Sequence, residues 1–268
     1  MNDRTGRKRG GWWAAGLVLL LGWMAAGCTT VPVTGRSQFN IMPQAQEMQL
    51  GFSEFEKMKK QVPVSKDARA RALVEKVGRR IAQVAGPAMP NAQWEFVVFE
   101  SKEANAFCLP GGKVGIYTGI LPITQDEAGL ATVIGHEVAH AVARHGGERI
   151  TTAMGLQALG VGVGIAAKES KYRELIATGY GMGSQLAVAL PHSRSTEAEA
   201  DEIGLQYMAR AGYPPQAAIG FWERFGDYNR ARGGDTAWFL RTHPTDQQRV
   251  ANLRRLMPKA QSVYRPQP

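Results

Sequence analysis

The sequence predicts a mainly helical α+β chain with a small antiparallel sheet. Three observations point to it. Apolar residues recur at helical spacing in several separate stretches. Trp94–Phe99 alternates, and two further β-rich runs flank Pro110-Gly111-Gly112. Between these two kinds of pattern lies His136-Glu137-x-x-His140, set in a periodic apolar segment that makes it one face of a helix.

The chain has 268 residues and a formal charge of +9. Residues 1–27 read as a lipoprotein signal peptide. Arg4, Arg7, Lys8 and Arg9 form a basic start, and the apolar run from Trp12 to Gly27 suits a signal core better than a membrane span. The run ends in Met24-Ala-Ala-Gly-Cys28, small residues before a cysteine, as in a bacterial lipobox. Cys28 is therefore the expected lipidation site. The location it predicts is the periplasm, lipid-anchored, most often to the outer membrane, because Thr29 and not Asp follows. With Cys28 lipidated, Cys108 has no disulfide partner and reads as a small buried hydrophobe. The basic surplus is dispersed, with no stripe interleaved with aromatics, so no nucleic-acid partner is expected.

The elements follow in order. Residues 28–65 carry Pro32, Pro43 and Pro63 and read as an N-terminal tether with a short helix near Gln44–Lys60. Residues 66–260 form the main domain. It opens with a helix over Asp67–Ala85, whose Leu73, Val77, Ile81 and Val84 share a face and which Gly86-Pro87 closes. The Trp94–Phe99 strand and a hairpin of Asn105–Leu109 with Lys113–Tyr117 come next. Thr124-x-x-Glu127 is a capping box that starts the motif helix, and Gly146-Gly147 stop it. Between Gly155 and Gly183, four glycines interrupt a small apolar run and three more do so again at 179–183, readable as a mobile helical flap, a small helical pair near the site, or plain core helices. A helix then begins between Pro191 and Thr196 and ends at Gly212. Pro214–Phe225 and Thr245–Leu256 are amphipathic helices, and residues 261–268 are a tail.

Residues four apart on a helix stand one above the other, so His136 and His140 aim two imidazoles at one point. A tetrahedral Zn²⁺ needs such a pair. Glu137 lies one step round the turn, close enough to reach a metal-activated water, and the motif with these roles is that of metalloproteases. A third ligand is required. Glu197 and Asp201 share a helical face, so Glu197 is the candidate ligand and Asp201 the acceptor behind a ligand histidine. A solvated acidic helix start is the competing explanation. His145 is assigned to the helix end and not to the metal.

Four segments in one order carry a resemblance. They are Asn105-Ala-Phe…Pro110-Gly-Gly, His136-Glu-Val-Ala-His140, Ser193-Arg194…Glu197-x-x-Ala200-Asp201, and His243-Pro244…Arg249. Together they resemble the zinc metallopeptidase family of the CAAX prenyl protease, HtpX and Oma types, within it the periplasmic lipoprotein subgroup typified by LoiP and the protease domain of BepA. The resemblance implies a zincin-like fold with His136, His140 and Glu197 on one Zn²⁺ and Glu137 as general base. It implies three readings for His243: a catalytic residue that stabilises the transition state, a lid over the metal, or a structural contact. His192 and Arg194 either touch substrate or orient the site, and Arg194 alternatively pairs with Glu197 or Asp201. Asn105, Gly112 and Val114 are the substrate-binding candidates, with an exposed edge of the Lys113–Tyr117 strand holding an extended peptide. The membrane helices of the prenyl protease and HtpX are missing, as is a tetratricopeptide tail.

Two functions compete at this point. One is an endopeptidase that cleaves misfolded or unassembled envelope proteins. The other is a metal-binding lipoprotein that acts mainly as a chaperone or assembly factor, with latent proteolysis. An intact Glu137 favours the first.

Overall fold

A computed structural model describes residues 27–161, 192–232, 239, 243 and 247–266. The elements run as a hairpin of β1 (Cys28–Thr30) and β2 (Ser37–Phe39), then α1 (Gln44–Gln61) and α2 (Ala68–Ala85). Strands β3 (Glu95–Phe99), β4 (Ala106–Leu109) and β5 (Lys113–Tyr117) follow. The rest is helical: α3 (Leu121–Thr124), α4 (Glu127–Val142), α5 (His145–Val161), α6 (Arg194–Arg210), α7 (Ala217–Ala231) and α8 (Gln247–Ser262). The expected signal segment up to residue 26 and most of the glycine-rich stretch, residues 162–183, lie outside the described residues.

Helix α4 is the axis of the domain. Every residue from Gly129 to His140 is buried, so it is apolar on all sides except where it carries the motif. It packs against α2, α6, α7 and β4. The approach to α6 is closest at two glycines. A Cβ on Gly204 would stand 3.0 Å from the carbonyl carbon of Gly135 and 3.0 Å from the amide nitrogen of His136. Only two residues without side chains let these backbones touch, and the contact lies beside the first motif histidine.

The sheet is mixed, in the order β3-β5-β4. β4 and β5 form the expected antiparallel hairpin, while β3 pairs with β5 in parallel, Glu95 opposite Lys113. The turn between them uses Gly111 and Gly112 at φ of 87° and 82°, the left-handed region open to glycine. β5 is thus the central strand.

Residues 28–65, read from the sequence as a tether with a short helix, are packed structure. Phe55 of α1 is fully buried and meets Phe99 and Phe107 edge-on, with ring centroids 6.1 and 6.2 Å apart. With Leu109 these rings form a second apolar cluster, separate from the one around α4.

Three helices differ in their boundaries from the sequence reading. The cap of α4 is Asp126, whose carboxylate accepts from the amide of Gly129, while the Thr124 hydroxyl donates to the Leu121 carbonyl. α7 runs on through Gly226 to Ala231, since one glycine only weakens a helix whose Phe221, Trp222 and Phe225 are buried in the core. α8 passes through Pro258 to Ser262. Burial of Leu253, Met257 and Ala260 holds that last stretch to the core.

Candidate metal centre

Helix α4 does not continue to Gly146-Gly147. It stops at Val142, and Arg144 takes a left-handed conformation with φ of 56°. That conformation is costly for a residue with a side chain, and an ion pair holds it in place. The Arg144 guanidinium bonds both oxygens of the buried Glu47, at 2.9 and 3.1 Å, and Asn40 donates to the same carboxylate at 2.9 Å. The chain turns at this point and starts α5 at once. His145 therefore faces back towards His140.

Four side chains gather on one point: His136, His140, Glu197 and His243, all buried and with donor atoms within 4.8 Å of one another. The Nε2 atoms of His136 and His140 are 3.1 Å apart. Two nitrogens about 2.0–2.1 Å from a tetrahedral zinc stand about 3.3 Å from each other. Glu197 oxygens lie 3.4 Å from His136 Nε2 and 3.3 Å from His140 Nε2. His243 Nδ1 is 2.9 Å from Glu197 and 3.3 Å from His136 Nε2.

The backs of both rings are occupied. Asp201 lies 3.0 Å from His136 Nδ1. His145 Nδ1 lies 2.8 Å from His140 Nδ1, and its Nε2 is 3.0 Å from Glu199. Asp201 and Glu199 can only accept when ionised, so each relay puts a proton on the ligand's Nδ1 and a lone pair on its Nε2. Two lone pairs then face each other at 3.1 Å beside a carboxylate. A cation between them removes that conflict.

Electrostatics point the same way. Glu137, Glu197 and Asp201 are buried near one another, and among the described residues Arg249 is the permanent cation paired with Glu197 and Asp201. With these four ionised and His136 deprotonated as a ligand must be, two negative charges are left for a dication to neutralise. Burial and the charge of Arg249 favour neutral His136, yet hydrogen bonds to Asp201 and Glu197 outweigh both and raise it to about 9. Burial would lift Glu197, but the facing His243 and the hydrogen bonds from His136 and His140 hold it well below the usual carboxylate range. Chiefly through burial, His140 and His192 are pushed well below the ordinary histidine value. The residues present fit a zinc-type dication.

Glu137 is set apart from this donor set. Burial raises its proton affinity, against the opposing charges of His243 and His136. Its Oε1 has no hydrogen-bond partner, and His243 Nε2 at 3.5 Å is the ion-pairing group beside it. A buried carboxylate oxygen aimed at the centre without a donor suits a group that receives a proton during turnover.

Beneath the centre lies an aromatic floor. The Trp222 ring centroid is 5.7 Å from that of His136, and the Phe239 centroid is 4.6 Å from that of His243. Arg249 stacks on Trp222 at 3.4 Å and bonds Glu197 at 3.0 Å and Asp201 at 2.6 Å. It makes the ion pairs that were one of the readings for Arg194, which is exposed on the first turn of α6. The His192 ring lies 4.1 Å from that of His140, at the rim of the same cluster.

The substrate-binding candidates divide. Val114 is fully buried in β5, which is hydrogen-bonded on both sides, so the exposed edge expected on that strand does not exist. Among the described residues no strand pairs with the outer side of β4. Asn105 caps its start, accepting from the amide of Ala106 at 2.9 Å. Gly112 lies in the turn and accepts from Glu95 through its carbonyl. His145, Glu199 and Arg249 join the site without having been assigned there from the sequence. The order His243…Arg249 in the fourth segment is the only sequence signal for any of them.

The family model described as Peptidase family M48 matches residues 68–257. The mitochondrial metalloendopeptidase OMA1 of Saccharomyces cerevisiae is 33% identical over 87% of this chain and 70% of its own length. The OMA1 of Schizosaccharomyces pombe is 37% identical over 70% of this chain and 53% of its own. The beta-barrel assembly-enhancing protease of Escherichia coli is 27% identical over 86% of this chain and 47% of its own. The chain thus spans between about half and seven-tenths of these relatives. They also correct one expectation. The lipid-anchored periplasmic and outer-membrane location read from the first residues is overturned, because both OMA1 relatives, like those from a plant and from vertebrates, are named mitochondrial.

Proposed function

Because the chain belongs to peptidase family M48, hydrolases of peptide bonds with a mainly helical zincin-like fold, we propose that it is a zinc-dependent endopeptidase acting on unfolded or unassembled protein chains. One observation carries the reading. Two histidine lone pairs and Glu197 converge on one point, with the unpartnered Oε1 of Glu137 beside it.

His136, His140 and Glu197 would hold the metal. Bound zinc supplies Lewis acidity that activates water and polarises a carbonyl. Glu137 takes the proton of the attacking water and delivers it to the leaving amine nitrogen. Its raised proton affinity suits both halves of that transfer. Asp201 and His145 keep the ligand rings in one tautomer. The substrate lies extended along β4. Asn105, Phe107 and Leu109 face β5 in hydrogen-bonded pairs, as the 3.0 Å bond from Tyr117 to the Asn105 carbonyl fixes. The Ala106 carbonyl and the main-chain groups of Cys108 then point to the other side, where a peptide adds as a further strand, while Asn105 holds the Ala106 amide.

The experiment is casein cleavage by the protein and by its Glu137→Gln variant, each loaded with zinc. Loss of at least about 100-fold with zinc retained is expected. Equal cleavage by the two would refute Glu137 as the base.

A second reading, binding with proteolysis held latent, is favoured by His243. A zinc with four protein ligands has no open position, and His243 stands in the same donor set. His243→Ala is expected to raise basal casein cleavage. A fall would instead make His243 a catalytic residue.

A further inference from the structure

The hairpin that precedes the family-matched region reaches the back of the metal centre. Its turn, residues 31–36, is closed by bonds from the Val31 amide to the Arg36 carbonyl at 2.8 Å and from the Gly35 amide to the Val31 carbonyl at 3.0 Å. Val33 and Gly35 adopt φ of 76° and 74° within it. So folded, the turn presents Thr34 and Arg36 to helix α6. Arg36 Nε donates to Glu199 Oε2 at 2.7 Å, and the Thr34 hydroxyl donates to Oε1. The rest of the Arg36 fork bonds Glu148 of α5 at 2.9 and 2.8 Å.

From Glu199 the path runs inward. Glu199 accepts from His145 Nε2, and His145 Nδ1 then accepts from His140 Nδ1. His145 is fully buried. Each step fixes the next tautomer, because a neutral imidazole that donates at one nitrogen must accept at the other. If Glu199 turns away, His145 is free to donate from Nδ1. His140 must then carry its proton on Nε2, the atom that faces the metal position.

We propose that Arg36, with Thr34, is a positioning residue of the metal centre: the N-terminal hairpin orients Glu199, and through His145 it holds His140 in the tautomer that binds zinc. The inference rests on the metallopeptidase reading above. On it, residues 28–39 are a working part of the site, and displacing them lowers metal affinity with no ligand touched. Partners that recognise the hairpin would thereby regulate the enzyme.

The test uses the full chain and zinc alone. Zinc affinity is measured by competition with a chromophoric chelator, and the cobalt-substituted form gives the visible spectrum of the ligand field. Melting of the metal-free protein reports the fold. Arg36→Gln is expected to weaken zinc binding by about 3- to 10-fold and Glu199→Gln by about 10- to 100-fold, the range for groups that orient ligands. Both should shift the cobalt bands while the metal-free melting temperature stays within a few degrees. Arg36→Lys, which can reach one carboxylate but not fork to two, should recover part of the affinity. Glu148→Gln, which leaves the path to His140 intact, should lose less than either. Wild-type affinity and spectrum in both Arg36→Gln and Glu199→Gln would overturn the inference and leave the metallopeptidase reading standing. Absence of zinc binding by the wild-type chain would take down both.

Discussion

At Glu199, burial and hydrogen bonding pull in opposite directions. Burial alone would raise its proton affinity, but hydrogen bonds from His145, Thr34 and Arg36 win and hold it down to about 2. An ordinary glutamate in the unfolded chain titrates near 4.3. The folded value is the lower one, so the carboxylate stabilises the fold above about pH 5, and that contribution fades as pH falls through 4 towards 2. Melting temperatures of the protein and its Glu199→Gln variant, with chelator present, should differ at pH 6 and converge as pH falls from about 5 towards 2. A gap independent of pH would show that the charge of Glu199 does not support the fold. At this scale the sequence is legible where chemistry is local. His136 and His140 are one helical turn apart, and Glu197 is marked by its i, i+4 carboxylate neighbour. His145 is not legible, since extending the helix past Val142 puts it half a turn away, and only the left-handed Arg144 brings it back. Arg36 belongs to Glu199 across more than 160 positions of chain, with no periodicity to announce it.

Helices α4 and α6 form the element that carries the chemistry. One bears both histidines and Glu137, the other Glu197 and Asp201. Their backbones meet at Gly135 and Gly204. Gly204→Ala would bring a methyl to 3.0 Å from the main chain of α4, where no side chain can move aside. Overpacking of this kind costs about 1–3 kcal/mol. A lower melting temperature together with weaker zinc binding is the expected result. A variant as stable as the parent would mean that the helices slide apart freely. Periodicity reveals these helices, and it lists Gly204 among the core face of α6, but it cannot say that the partner of that glycine is another glycine. The parallel pairing of β3 with β5 is hidden for a similar reason. A turn signal marks adjacent strands, and nothing local marks a strand that returns to the far side of a hairpin.

For the whole molecule, the matched region 68–257 is not self-contained. α1 seals the outer face of the sheet with Phe55, and Glu47 braces the break between α4 and α5. A chain beginning at Lys66 should expose Phe99, Phe107 and Leu109, melt several degrees lower and aggregate on warming. Thermal melting with light scattering checks this, and unchanged behaviour would reduce residues 28–65 to an appendage. Legibility is poorest here. Three prolines in this segment suggest a loose tether, whereas its order comes from rings and ion pairs supplied by distant elements. The glycine contact has a consequence of another kind. The spacing between His136 and Glu197 is set by two peptide backbones, atoms common to every amino acid. The surrounding core can therefore exchange one apolar residue for another without retuning the metal site, and the freedom to vary is denied only at the two positions where there is no side chain to replace.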